Sequence, residues 1–412
     1  MIKRTFLDNI RKGLGKTYLE LQSATNKEEY KETLLYACFT DCAFNFITDG
    51  SKGEYLYNLI SLLNDKQYFK QQIISFLENN LPKRGLFAQL IDILACYIVD
   101  GDNEIKAFLS DYYTSFTKKS RWSENKILCY EYLCIIMYQV FGFNKVLSIL
   151  KDIERLKIDK NELGWFLSII SYKYKNNKTV QSFLPKIEDS KQVNISNQTF
   201  EEFIELSRED GLPRYFFFRA TNIEFEKGLE YLKQTNNKKD ILNILRDFQY
   251  EDCPKQIPED VLFSLLNKHD KEVDREIYTT LSFIKSKKVE QLALTLINDK
   301  QNIVSSIHML MVNYKKEYKE LLADVYKKVR FTFYGYNPLI FYTIDFMRTK
   351  KLDLPNEILF SAYEKSFDSF SREYIVEIMK KRNLLTKEHI NELKYDSNYE
   401  IRKKAIKWLK SI

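Results

Sequence analysis

The chain has 412 residues, with only 11 Gly and 7 Pro against 28 Tyr and 29 Phe, and a formal net charge of +7. Gly and Pro fall well below the roughly 7% and 5% of ordinary domains, which excludes a turn-rich sandwich or barrel and points to long helices joined by tight turns. The charge is confined: residues 301–412 carry 21 Lys+Arg against 14 Asp+Glu, whereas residues 1–300 balance at 43 against 43, so the chain is not basic throughout.

From the N-terminus, MIKRTFLDNIRKGLGK has the charges that open a secretory signal but no following apolar run or cleavage site. Gly13-Leu-Gly15-Lys16-Thr17 is similar to the end of a phosphate-binding loop, but Ile10 stands where the first Gly is needed and Thr5–Lys12 reads as helix rather than strand. A helix-breaking turn is the expectation there. Helices are predicted over Lys27–Phe46, Lys52–Leu63, Gln67–Asn79, Leu86–Asp100 and Ser123–Val140, all rich in aromatics. Cys38 and Cys42 lie one helical turn apart, without the further Cys or His ligands that zinc needs. Asp41, Asp49 and Glu54 flank a Gly-containing turn that lacks the alternation of a calcium loop and reads as a solvated turn. The longest apolar stretch, Tyr132 to Phe143, is interrupted by Gln139 and is too short to span a bilayer. With Cys96, Cys129, Cys134 and Cys253, the cysteines sit mostly in apolar runs without secretory context, so reduced thiols and a cytoplasmic protein are expected.

Residues 1–173 form an N-terminal helical region, either continuing a repeat array or folding as a bundle. Residues 174–198 turn polar and read as a linker or long loop, with sequons at Asn194 and Asn197. Helices resume at Phe200, with Ile223–Gln234 and Lys238–Phe248 as a pair, and open a repeat region over 199–412.

That region contains a copy of itself. Ile257–Leu281 (IPEDVLFSLLNKHDKEVDREIYTTL) recurs 97 residues later as Leu354–Ile378 (LPNEILFSAYEKSFDSFSREYIVEI). Pro258 falls on Pro355, Arg275-Glu276 on Arg372-Glu373, and Val273, Ile277, Leu281 on Phe370, Tyr374, Ile378. Each copy reads as a Pro-started helix, a polar turn and a second helix. Related signatures at Ile303, Leu339 and Ile401 divide the interval into units of about 32 residues, and such helix pairs must stack to bury their apolar stripes. The last unit, Asp396-Ser-Asn-Tyr-Glu-Ile401-Arg402-Lys-Lys-Ala405-Ile-Lys-Trp408-Leu409, resembles the second-helix signature of HEAT repeats. The resemblance implies an all-α, right-handed α-solenoid of stacked antiparallel helix pairs. It also implies a ladder joining neighbouring repeats through Asp396 and Arg402, although Arg275 and Arg372 lie one residue out of that register.

The resemblance brings a habit of binding large partners and no reaction. His269, His308 and His389 are scattered singly, with no Ser or Cys at a spacing that suggests a nucleophile pair, and neither a catalytic nor a cofactor site is expected. The basic, aromatic stretch Tyr326–Tyr336 suits phosphates and stacked bases, as does Arg214-Tyr-Phe-Phe-Phe-Arg219 less strongly. The candidate binding residues for nucleic acid or an acidic partner are Lys327, Lys328, Arg330, Arg348, Lys403, Lys404 and Lys407. Two functions follow as expectations: a non-catalytic scaffold holding a protein on the solenoid's concave face, or a HEAT-like nucleic-acid binder. Alkylpurine DNA glycosylases are built from such repeats, but nothing around Trp122, Trp165 or Trp408 matches a motif of theirs.

Overall fold

The computed structural model describes residues 3–40, 52–118, 122–184, 199–210, 216–249, 255–266, 270–329, 338–348 and 354–411. Among them every regular element is helical and no strand occurs. In chain order the helices are α1 (Arg4–Lys12), α2 (Lys16–Ser23), α3 (Lys31–Cys38), α4 (Lys52–Ile60), α5 (Lys66–Asn79), α6 (Arg84–Val99), α7 (Asn103–Lys118) and α8 (Glu124–Phe141). They continue as α9 (Phe143–Leu156), α10 (Gly164–Lys173), α11 (Lys178–Phe183), α12 (Phe200–Asp210), α13 (Phe216–Arg219), α14 (Asn222–Gln234), α15 (Lys238–Asp247), α16 (Glu259–Leu265) and α17 (Lys271–Leu281). The last are α18 (Lys287–Leu296), α19 (Ile303–Val312), α20 (Lys319–Lys328), α21 (Pro338–Arg348), α22 (Asn356–Lys365), α23 (Ser369–Lys381), α24 (Lys387–Leu393) and α25 (Tyr399–Leu409). The predicted Lys27–Phe46 helix is a 3-10 turn, Lys27–Tyr30, leading into α3. Its predicted end, with Asp41, Cys42 and Asp49, lies outside the described residues, as do the sequons and residues 185–198 of the polar segment.

Of the described residues, those within 3–184 and 362–411 form one compact unit, and those within 199–329 and 338–361 another. The first unit is built around α4, α6 and α8. Every residue from Cys129 to Met137 on α8 is buried, so the longest apolar run of the sequence is a core helix. No helix among the described residues is long and apolar enough to cross a membrane. Polar groups inside this core cap neighbouring helix ends, whose backbone groups would otherwise be orphaned. Gln89 Nε2 donates to the carbonyls of Ala37 and Cys38 at the end of α3 and of Thr40 just beyond it, and Glu131 accepts from the amides of Trp165 and Phe166 at the start of α10. Among the described residues Cys38, Cys96, Cys129 and Cys134 form no disulfide, and burial pushes the thiols of Cys96 and Cys129 up to about 12.

In the same unit the first and last helices of the chain meet. Gly13 ends α1 in a left-handed conformation (φ 71°), and its carbonyl accepts the amide of Ser397 at 2.8 Å. Leu14 O accepts from Tyr55 Oη at 2.9 Å. A Cβ on Gly15 would lie 1.9 Å from Glu392 O. The Gly13–Thr17 segment is therefore a helix-breaking turn whose backbone is occupied by α24 and the turn that follows, which leaves no cradle for phosphate.

Asp92 of α6 is buried, with Tyr132 Oη of α8 donating to it at 2.6 Å, Lys52 of α4 as the nearby positive charge and Cys96 on its own helix. Burial raises its carboxyl from 3.8 to about 7 despite the Tyr132 bond.

In the second unit α15 packs on α17 and α17 on α19. Asn237 caps α15 and Asp270 caps α17 through side-chain oxygens. Phe216 and Phe217 of the Arg214–Arg219 stretch are buried, stacking on Phe203 and Phe248 respectively, so they form core rather than a nucleic-acid platform.

The two copies of the repeat differ in rotation. On α17 the matched positions Val273, Ile277 and Leu281 are all buried. On α23 the aligned Ile378 stays buried, but the aligned Phe370 is 42% exposed and the buried face also takes in Arg372, Ile375, Val376 and Met379. Arg372 turns into the core where its counterpart Arg275 is exposed. The matched glutamates keep one role: Glu276 pairs with Arg246 of α15 at 3.1 Å, and Glu373 with Lys404 of α25 at 2.6 Å.

Two outcomes test this description. Gly15→Ala drives a Cβ into the Glu392 backbone and should destabilise the first unit by about 1–3 kcal/mol in urea unfolding. Because the fold raises the pKa of Asp92, the protein binds an extra proton when folded, and this group's contribution falls as pH rises from about 4 to 7. Asp92→Asn keeps an acceptor for Tyr132 without the charge, so its melting temperature should gain on the wild type between pH 5 and pH 8.

Candidate functional site

The turn between α24 and α25, Asp396-Ser397-Asn398, organises the surface beside it. Asn398 Oδ1 caps α25, accepting from Glu400 N at 2.8 Å and Ile401 N at 3.1 Å. Asp396 Oδ1 accepts from Asn398 N at 2.8 Å. From α23, Arg372 Nη2 donates to Asp396 Oδ1 and to Ser397 Oγ, both at 2.9 Å. Its Nε donates to Asp396 Oδ2 at 3.2 Å and its Nη1 to Ser366 O at 3.2 Å. Both charged side chains are 0% exposed, so nearly all donors of the guanidinium must be met within the protein. Tyr363 Oη reaches Glu392 Oε1 at 3.3 Å, and burial raises the Glu392 carboxyl above its usual range.

Arg402 has a different task from the one the resemblance implies. Its Nη1 donates to the carbonyls of Asp396 and Ser397, at 3.0 and 2.9 Å, while Nη2 donates to Glu54 Oε2 of α4 at 2.6 Å. The carboxylate of Asp396 is taken by Arg372, one residue away from the expected register.

Against this seam opens a cleft of about 470 Å³ lined by α2, α4, α25 and the end of α24. Tyr18 and Tyr395 stack in parallel in its wall, with ring centroids 3.9 Å apart. Along α25, Tyr399, Lys403 and Ile406 lie at i, i+4 and i+7 and so share one face. They are exposed by 58%, 65% (side chain) and 47%, while Ile401 and Ala405 on the opposite side are fully buried. Asn58 and Ser61 form the facing rim.

Of the residues singled out from the sequence, Lys403 lines this cleft and Lys407 is exposed one turn further along α25. Lys404 points elsewhere, half-buried between Glu373 and Glu377. Lys327, Lys328 and Arg348 are exposed in the second unit, and Arg330 lies outside the described residues. Tyr326, expected beside them as a stacking ring, is fully buried with Thr343 against its hydroxyl. Tyr18, Glu54 and Tyr399 were not singled out for this surface; only a contact spanning 348 residues brings Glu54 to α25.

His308 does have a spatial partner that sequence spacing hides: its Nδ1 is 2.6 Å from Ser282 Oγ. Ser282 is 1% and His308 2% exposed, and the imidazole lies flat on Tyr342 at 3.6 Å, so the pair is sealed from any substrate. His389 completes a capping box with Thr386 at the start of α24, and His269 lies outside the described residues. Among the described residues no group of three or more His, Cys, Asp or Glu is placed to hold a metal ion.

The chain matches no family model, no curated protein and no solved structure.

Removing one partner of a buried ion pair leaves an uncompensated charge, at a cost of about 3–5 kcal/mol. Asp396→Ala should therefore lower the stability of the first unit by that amount in denaturant titration, and the double variant Arg372→Met, Asp396→Leu should recover most of it.

Proposed function

We propose that this chain is a non-catalytic interaction scaffold in which helix pairs, associated in a HEAT-like manner, present the α25 face of the first unit to a macromolecular partner. One observation carries the reading: Tyr399, Lys403 and Ile406 stand exposed in a row beside an open cleft, on a helix whose other faces are fixed. Asn398 caps that helix, Ile401 and Ala405 anchor it, and Lys404 pairs with Glu373 and Glu377. A rigid helix loses little freedom on binding, and exposed Tyr and aliphatic groups on such a base give a partner apolar area to bury. The HEAT-like reading is supported by links between successive second helices, Arg246–Glu276 from α15 to α17 and Lys404–Glu373 from α25 to α23, and by Arg372–Asp396 from α23 to the turn before α25. The buried cysteines Cys38, Cys129 and Cys134, outside any disulfide, fit a reducing compartment, and we assign the scaffold to the cytoplasm.

A HEAT-like nucleic-acid binder is the second reading, favoured by Lys403 and Lys407 exposed near Tyr399. It is weakened because Arg402 and Lys404 are already matched by Glu54, Glu373 and Glu377. Binding to labelled duplex DNA, single-stranded DNA and RNA across a salt series separates the two. The scaffold reading expects no more than weak, sequence-independent binding at physiological salt. A tight complex whose log Kd rises steeply with log salt, and which is lost in Lys403→Glu, would replace it with the second.

A further inference from the structure

We infer that the α25 cleft receives an acidic peptide segment carrying an aromatic or aliphatic side chain; this rests on the scaffold reading and names the chemistry of its partner. The charge of the cleft is the first reason. Its lining holds three cations, Lys394, Arg402 and Lys403, and one carboxylate, Glu54, which Arg402 engages at 2.6 Å. Lys394 rests 5.0 Å from the centroid of Tyr395, and Lys403 lies 5.9 Å from the centroid of Tyr399 and 4.0 Å from Glu400, a carboxylate outside the lining. Two ammonium groups thus face the cleft with little compensation, and Lys407 and Lys410 extend the positive field along a helix end that has no acid from 401 to 412.

The second reason is the mixture of side chains. Tyr399 and Ile406 offer apolar surface on either side of Lys403, which suits a bulky residue flanked by carboxylates. Asn58, exposed on α4, and Ser61 supply neutral groups to hydrogen-bond a peptide backbone across the cleft. Nucleic acid is the poorer fit. It requires a continuous track of cations and planar faces for its bases, whereas Arg402 and Lys404 are occupied and Ile406 is aliphatic. An acidic peptide needs only two cations and an apolar seat.

Selection of a random peptide library displayed on phage against the immobilised full chain tests the inference. The same selection is run on Lys403→Glu and Ile406→Asp, both exposed positions, with folding checked by circular dichroism; Tyr399→Ala replaces Ile406→Asp if that variant unfolds. Peptides enriched on the wild type should combine Asp or Glu with Leu, Phe or Trp. As synthetic fluorescent peptides they should lose about tenfold or more in affinity for either variant. Enrichment of neutral or basic peptides, or of none, overturns the inference. Acidic peptides that bind both variants as well as the wild type also overturn it, while leaving the scaffold reading intact with its surface elsewhere. Oligo-dT bound more tightly than any selected peptide, and released by Lys403→Glu, overturns both.

Discussion

Arg372 carries a permanent charge into a place with no solvent, and Asp396 is the counter-charge that makes this tolerable. Hydrophobic residues in their place could be as stable, but they would not be directional. A planar guanidinium bonded to Asp396, Ser397 and Ser366 ties α23 to the α24–α25 turn in one orientation. That orientation sets the start of α25, and with it the reach of Arg402 to Glu54 and the side of the helix that faces the cleft. The surface proposed to bind a partner thus follows from one buried pair.

The same pair marks where the sequence stops being legible. Helix-rich composition, most helix starts and the duplicated helix pair are local properties, and the structure carries them. Asn and Asp at 237, 270, 368 and 398 cap α15, α17, α23 and α25, an additional local signal of where each second helix begins. The rotation of α23 was not legible. Identity at Arg275 and Arg372 suggests equivalent faces, yet the inward turn of Arg372 is decided by an aspartate 24 residues later. In the candidate site, Lys403 could be read from its basic neighbourhood. Tyr18 and Glu54 could not, because nothing in their own segments points to α25.

Polar residues inside apolar stretches are not marks of exposure in this chain. Gln89, Glu131 and Asp247 are buried, and each serves the backbone of another helix: the end of α3, the start of α10 and the amide of Phe217 in α13. Helices as closely packed as these expose few of their ends to water, so their terminal amides and carbonyls need partners supplied from elsewhere in the chain. Such partners have no periodicity, and a sequence pattern does not reveal them.

The seam between the two ends of the chain also has a consequence for synthesis. Glu54 waits for Arg402 across 348 residues, on the order of 20–70 s of translation at ordinary elongation rates. The logarithmic growth of loop-closure entropy makes this separation modest in free energy, so the burden is one of time. Until the last helix is made, the first helices lack the surface they pack on. A chain that terminates before α25 therefore has one wall of the cleft and not the other.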